Sequence, residues 1–241
     1  MGENFSEKLK KALNEINIEI TEKQIQKFYK YMNLLIEWNE KINLTAITEE
    51  NDIILKHFVD SLTIQKYIEK NKKIVDIGTG AGFPGIPLAI MNEENEITLV
   101  DSLNKRINFL NDVIEKLELK NVTALHFRAE EFCQNKKYRE SYDYAVSRAV
   151  ANLSTLSEYL IPAVKVGGKV ICMKGSQIES ELKEAEFAIS ELRGTICTKE
   201  EFCLPNTDMK RNIIVIEKQQ TTPKKYPRKA GMPAKQPLTK I

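Results

Sequence analysis

Hydrophobic residues recur along this chain with two different periods, and the change falls near residue 70. Before it, apolar positions repeat every three to four residues. Leu9, Ala12, Leu13 and Ile16 share one helical face, and Ile25, Phe28, Tyr29, Met32, Leu35 and Ile36 continue with period 3.6. Thr21 and Gln24 have capping-box spacing, and Thr48 is placed to cap a further helix carrying Ile53, Ile54 and His57. From residue 73, short apolar runs alternate with helical stretches. Strands are expected at 73–77, 96–101, 121–127, 142–147 and 168–174, with helices near 85–92, 104–118, 152–165 and 176–193. That alternation predicts an α/β fold, a parallel sheet with helices on both faces. The segments TICTKEEFCL and RNIIVIEK, separated by Pro205-Asn206-Thr207-Asp208, read as an antiparallel pair finishing the sheet. The organisation expected is a helical region over 1–70, an α/β domain over 71–220 and a tail over 221–241.

Composition excludes several classes. With 241 residues, 42% hydrophobic and 29% charged, the chain has the make-up of a soluble globular protein. No apolar stretch approaches the ~20 residues of a membrane span, and the amphipathic start MGENFSEKLKKALNE lacks a signal-peptide core. Gly2 is followed by too little else to argue lipidation. Cys133, Cys172, Cys197 and Cys203 are scattered, with no C-x-x-C pair, which fits reduced thiols better than disulfides or zinc. A cytoplasmic, metal-free protein is expected, and nothing suggests an obligate dimer. Net charge is only +2, but from Thr221 onward there are six basic residues and no acid. Pro223, Pro227, Gly231, Pro233 and Pro237 predict that this tail is extended rather than helical. It reads either as a solvated terminus or as a phosphate-contacting arm.

Candidate chemistry concentrates in KIVDIGTGAGFPG, residues 73–85. A strand ends on Asp76, a loop with glycines at 78, 80, 82 and 85 follows, and an apolar helix begins. Glycines let a ligand approach the backbone, and the helix start offers free N–H groups. Two cofactors fit the glycines alone. Gly80-Ala-Gly82-Phe-Pro-Gly85 matches the dinucleotide pattern, with Asp101 at 19 residues beyond Gly82 as a ribose-binding acid. The run from Asp76 to Gly82 equally resembles motif I of class I S-adenosylmethionine methyltransferases. There the resemblance implies that the acid sits near the methionine amino group. In either case Asp101 takes the ribose hydroxyls. The late hairpin separates the two, since a reversed last strand resembles the seven-stranded, Rossmann-like class I methyltransferase sheet, and too little chain remains for the catalytic domain of an NAD enzyme.

Several methyl acceptors leave marks that are missing here. Exocyclic amine methylation usually shows an N/D-P-P-Y-like turn after the fourth strand, where this chain has Ser147-Arg148-Ala149. Neither Cys133 nor Cys172 lies in a Pro-Cys loop suited to cytosine C5 attack, and only Asp143 stands where a metal-dependent site would cluster carboxylates. Guanine N7 needs no general base, so alignment and electrostatics suffice. The alternatives are a small-molecule methyltransferase on the same fold and an NAD-type or regulatory binding domain.

Longer segments decide further. WNEKINLTAIT (38–48), KHFVDSL (56–62), VDIGTGAGFPGIPLAI (75–90), DSLNKRINFL (101–110), SRAVANLSTLSEYLIPAVKVGG (147–168), MKG (173–175) and YPRKAGMPAKQPL (226–238) resemble the bacterial ribosomal RNA small-subunit methyltransferase G family, also called the glucose-inhibited division protein B family. The resemblance implies methyl transfer from S-adenosylmethionine to N7 of one guanine in the decoding region of 16S rRNA, with the rRNA or the small subunit as partner. It implies cofactor contacts at Gly78, Phe83, Ala129, Glu130 and Arg148, to which the residues themselves add Asp76, Gly80 and Asp101. Phe83 reads alternatively as core packing, and Glu131 rivals Glu130. Arg148 has three readings: cofactor carboxylate, RNA phosphate or structural ion pair. For RNA the candidates are Lys174, Arg211, Lys224, Lys225, Arg228, Lys229 and Lys235, with Lys174 favoured over Lys105 and Arg106. Tyr226 suits base stacking or packing. His57 reads as a structural histidine or a substrate contact, and Trp38 and Asn43 as fasteners of the helical region or cleft residues.

Overall fold

A computed structural model describes residues 3–148, 151–176 and 178–239. Gly2 and Ala149, named above, and Lys240, one of the six basic residues of the tail, lie outside the described residues. Seven strands form one sheet: β1 (Lys73–Ile77), β2 (Glu96–Asp101), β3 (Val122–His126), β4 (Tyr142–Arg148), β5 (Val164–Lys174), β6 (Gly194–Cys203) and β7 (Lys210–Lys218). Their order is β3-β2-β1-β4-β5-β7-β6, with β7 antiparallel to both β5 and β6 and the remaining pairs parallel. The order reverses beside β1. Carboxyl ends of parallel strands open a crevice at such a switch point.

Two hydrophobic cores flank the sheet, and the alternation along β1 feeds both. Ile74 belongs to a core built with the N-terminal helices Glu3–Asn14 and Glu22–Ile42 and with helices Gly85–Met91 and Asn104–Lys116. Val75 and Ile77 belong to the opposite core, under helices Ala129–Gln134, Leu153–Leu160 and Glu179–Glu191. The helical region thus shares its core with the sheet. Trp38 fastens it, donating from Nε1 to Asp112 (2.8 Å) and meeting Phe109 edge-on. Asn43 ends the second helix in the left-handed conformation (φ 49°), a role short polar side chains fill well.

The capping box of Thr21 and Gln24 forms as the spacing predicts. Thr48 does not cap. The next helix opens at Glu50 after Glu49, without a side-chain bond, and passes into a π turn at Ile54–Val59 that carries His57. The tail also differs from the extended form expected. Gly231 turns the chain at φ 81°, and Met232–Lys235 makes one helical turn with Pro233 in its first turn, where a missing N–H costs nothing. The tail is bound along its length. Arg139 donates to the carbonyls of Thr222 (2.8 Å) and Tyr226 (2.6 Å), and Arg228 makes a two-pronged pair with the fully buried Glu158. No helix of the described residues is long and apolar enough to cross a membrane.

Candidate functional site

At the switch point lies a cavity of about 650 Å³, lined by the glycine loop, the ends of β2 and β4, the segment 127–130, and Gly231 and Ala234 of the tail. The chain makes the loop by spending hydrogen bonds on it. Gly78 donates to Val100 O (2.8 Å), and Gly80, at φ 61°, donates to Asp101 Oδ2 (3.0 Å) with open space where a side chain would stand. Gly85 is needed for a different reason: a Cβ there would lie 2.2 Å from Leu99 and 2.9 Å from Asp76 Oδ2.

Asp76 is completely buried. Its Oδ2 accepts from Thr79 Oγ1 (2.7 Å) and Gly85 N (2.8 Å), while Oδ1 has no hydrogen-bond partner among the described residues. Burial pushes its carboxyl up to about 7, against the lowering effect of those two bonds and of Arg148. A buried acceptor left unsatisfied costs stability unless something donates to it. A ligand ammonium group is a donor of the right chemistry. Asp101, also buried, accepts from Leu103 N on Oδ1, and from Gly80 N and Arg106 on Oδ2. A carboxylate offers about four acceptor sites, so one remains for a hydroxyl.

Phe83 is buried, stacked on His57 at 4.3 Å and covered by the Arg148 guanidinium at 4.9 Å, so its two readings merge: it packs in the core and lines the cavity. Arg148 donates to Lys56 O (2.9 Å), to Asp60 (3.4 Å) and to Nδ1 of His57 (3.0 Å). These contacts use three of its five N–H groups and leave two for a ligand. Because Nδ1 faces a pure donor, His57 is neutral with its proton on Nε2, donated to Thr45 Oγ1 (2.9 Å). Burial first, then Arg148, pushes the imidazole down to about 3. His57 is a fixed strut in this arrangement.

Ala129 and Glu130 line the far end of the cavity. Glu130 is buried and accepts from Gly231 N (2.7 Å), whereas Glu131 is outside the lining. Beside it, burial and the negative charges of Glu130 and Glu158 push the Tyr159 phenol up to about 12. Among the residues named for RNA, several are engaged within the protein. Lys174 pairs with Glu181 (2.8 Å) and donates to Ala151 O, Arg211 pairs with Asp60 (3.2 Å), Lys225 with Glu191 (2.9 Å), and Arg228 with Glu158. Lys224, Lys229 and Lys235 are exposed, with no ion-pair partner among the described residues. Tyr226 is buried and packs. Sequence reasoning missed Thr45, Asp60, Phe127, Arg128, Tyr159, Gly231 and Ala234. Thr45, Asp60, Tyr159 and the two tail residues stood inside motifs already singled out; Phe127 and Arg128 carried no signal.

The family model for rRNA small subunit methyltransferase G matches residues 24–207. The chain is 51% identical to the ribosomal RNA small subunit methyltransferase G of Clostridium botulinum strain Alaska E43, over 97% of this chain and 99% of that one. It is 52% identical to the protein of the same name from Alkaliphilus oremlandii, over 95% and 97%. A SAM-dependent methyltransferase from Aquifex aeolicus shares the fold, with a TM-score of 0.54 at 16% identity over 68% of this chain and 93% of that one. The chain belongs to the rRNA small subunit methyltransferase G family.

Proposed function

From that membership we propose that this protein transfers a methyl group from S-adenosylmethionine to N7 of a specific guanine in the decoding region of 16S rRNA, without a general base. The observation that carries the reading is the unpartnered, buried Oδ1 of Asp76 beside a glycine cradle, a fit for the methionine ammonium group. Asp101 and the open space at Gly80 suit the ribose, and the two remaining N–H groups of Arg148 suit the methionine carboxylate. The cofactor supplies an activated methyl on a sulfonium, which becomes a neutral thioether as positive charge passes to the acceptor ring.

The protein's part is alignment and exclusion of water. His57 has both nitrogens engaged within the protein and a depressed pKa, so it is not free to take a proton. An acceptor with an in-plane lone pair and no proton to lose, such as guanine N7, matches that arrangement. Lys229 and Lys235 flank the cavity through Gly231 and Ala234 and suit RNA phosphates, as does the exposed Arg128. The protein acts as a cytoplasmic monomer on 16S rRNA or the small subunit.

Labelled S-adenosylmethionine incubated with 30S subunits and with protein-free 16S rRNA, both from cells lacking this gene, tests the reading. Label at a single guanine, mapped by cleavage specific for N7-methylguanine, is the expected result. Absence of label from both, with cofactor bound, would transfer the assignment to a small-molecule acceptor.

A further inference from the structure

The tail contributes to the cavity wall. Gly231 and Ala234 are part of the cavity lining, facing the segment Phe127, Ala129 and Glu130 and the ring of Tyr159. Three separate anchors hold this stretch in place. Gly231 N donates to the buried Glu130 (2.7 Å), Thr155 Oγ1 donates to Pro233 O (3.0 Å), and Arg228 closes on Glu158 through its backbone N, Nε and one terminal nitrogen. Arg228 also donates to Gln236 O (2.7 Å), which ties the two ends of the turn together. A merely solvated terminus would not commit a fully buried glutamate to its own restraint, given the cost of burying a charge.

We propose that residues 228–235 form a wall of the cofactor site, and that Ala234, with Gly231, sets the width of the compartment that takes the adenine base. The proposal rests on the S-adenosylmethionine reading above and adds to it the residues that close the base end. At both wall positions the side chain is minimal, and no atom lies within 4 Å of a Cβ built on Gly231. The space lined by the wall and by Phe127, Ala129 and Tyr159 suits an aromatic base. This assigns to the tail a role in cofactor affinity that is separate from any contact it makes with RNA.

Titration calorimetry of the full-length protein with S-adenosylhomocysteine tests the wall. Ala234 lies on an exposed helical turn, so Ala234→Trp is compatible with its backbone while filling the compartment. Affinity is expected to fall at least about tenfold, a difference well resolved by calorimetry. A second arm uses the unaltered protein: trypsin cleavage after the exposed Lys229 and Lys235 should slow when S-adenosylhomocysteine is present. Equal affinity in Ala234→Trp, or cleavage unaffected by the ligand, overturns the wall. Failure of the wild type to bind S-adenosylhomocysteine at all would instead sink the cofactor reading on which the wall depends.

Discussion

Replacing Asp76 with asparagine should stabilise the ligand-free protein and weaken its hold on the cofactor. The carboxyl sits at about 7 in the folded chain against an ordinary 3.8, with burial as the main cause. A carboxyl raised on folding contributes most stability when protonated, below its unfolded value. That contribution is lost as pH climbs from 3.8 to about 7 and stays lost above it. The gap corresponds to about 4 kcal/mol as an upper figure. Asparagine has the same shape and no charge, and its amide oxygen can still accept from Thr79 and Gly85. At pH 8 the variant without ligand should therefore melt higher than the wild type, by up to about 10 °C for a chain of this size. The difference should close toward pH 4. His57 works in the opposite sense: held down to about 3, it removes stability as pH falls below 6.5. It is present in both proteins and cancels in the comparison. With S-adenosylhomocysteine the variant's advantage at pH 8 should shrink, since a charge-assisted bond worth about 1.5–3 kcal/mol is gone. Thermal melts from pH 4.5 to 8.5, with and without ligand, read both effects. Parallel wild-type and variant curves across that range would refute the burial reasoning, and equal ligand affinity would refute the ammonium contact.

Arg228→Ala leaves Glu158 charged and buried without its partner, so chemical denaturation should show a loss of about 3 kcal/mol; a loss below 1 kcal/mol would show that Glu158 finds other donors. Burial holds the thiols of Cys133 and Cys172 up at about 12, while Cys197 and Cys203 are exposed. Iodoacetamide at pH 8 should label the second pair and spare the first, which mass mapping would read directly. The double change Lys229→Ala with Lys235→Ala should weaken binding to 30S subunits and flatten its salt dependence by up to about 2 in log–log slope. An unaltered slope would remove both lysines from the RNA surface.

Strand positions were legible because their signal is local: β1 and β2 fall where the apolar runs put them, at Lys73–Ile77 and Glu96–Asp101. Helix Ala129–Gln134 was not foreseen, since six residues are too short to display a period of 3.6. The expected helix over 152–165 stops earlier, at Leu160, and the chain passes through a 3₁₀ turn into a longer β5. Pro162 has no backbone N–H with which to continue the helical ladder, a local reason for the break. The glycine loop was legible for the same reason as β1, because Asp76, Gly78 and Gly80 act through their own backbone neighbourhood.

Charge was where the sequence was least specific, and the reason is physical. A list of basic residues near a chain end cannot tell a phosphate ligand from an internal anchor, because both need the same guanidinium. Arg228 and Arg211 each find a carboxylate remote in sequence, Glu158 at a separation of 70 and Asp60 at 151, and Lys174 finds Glu181 at the start of the next helix. Only folding reveals these partners. Asp60 shows the consequence most fully. It holds Arg148 from one side and Arg211 from the other, so a helix of the N-terminal region and strands β4 and β7 meet on one carboxylate at the rim of the cavity. Arg148 is therefore a structural ion pair and a candidate ligand at once, and the helical region orients it through His57 and Asp60. A change in Asp60 should reach the cofactor through Arg148 without touching the cavity itself.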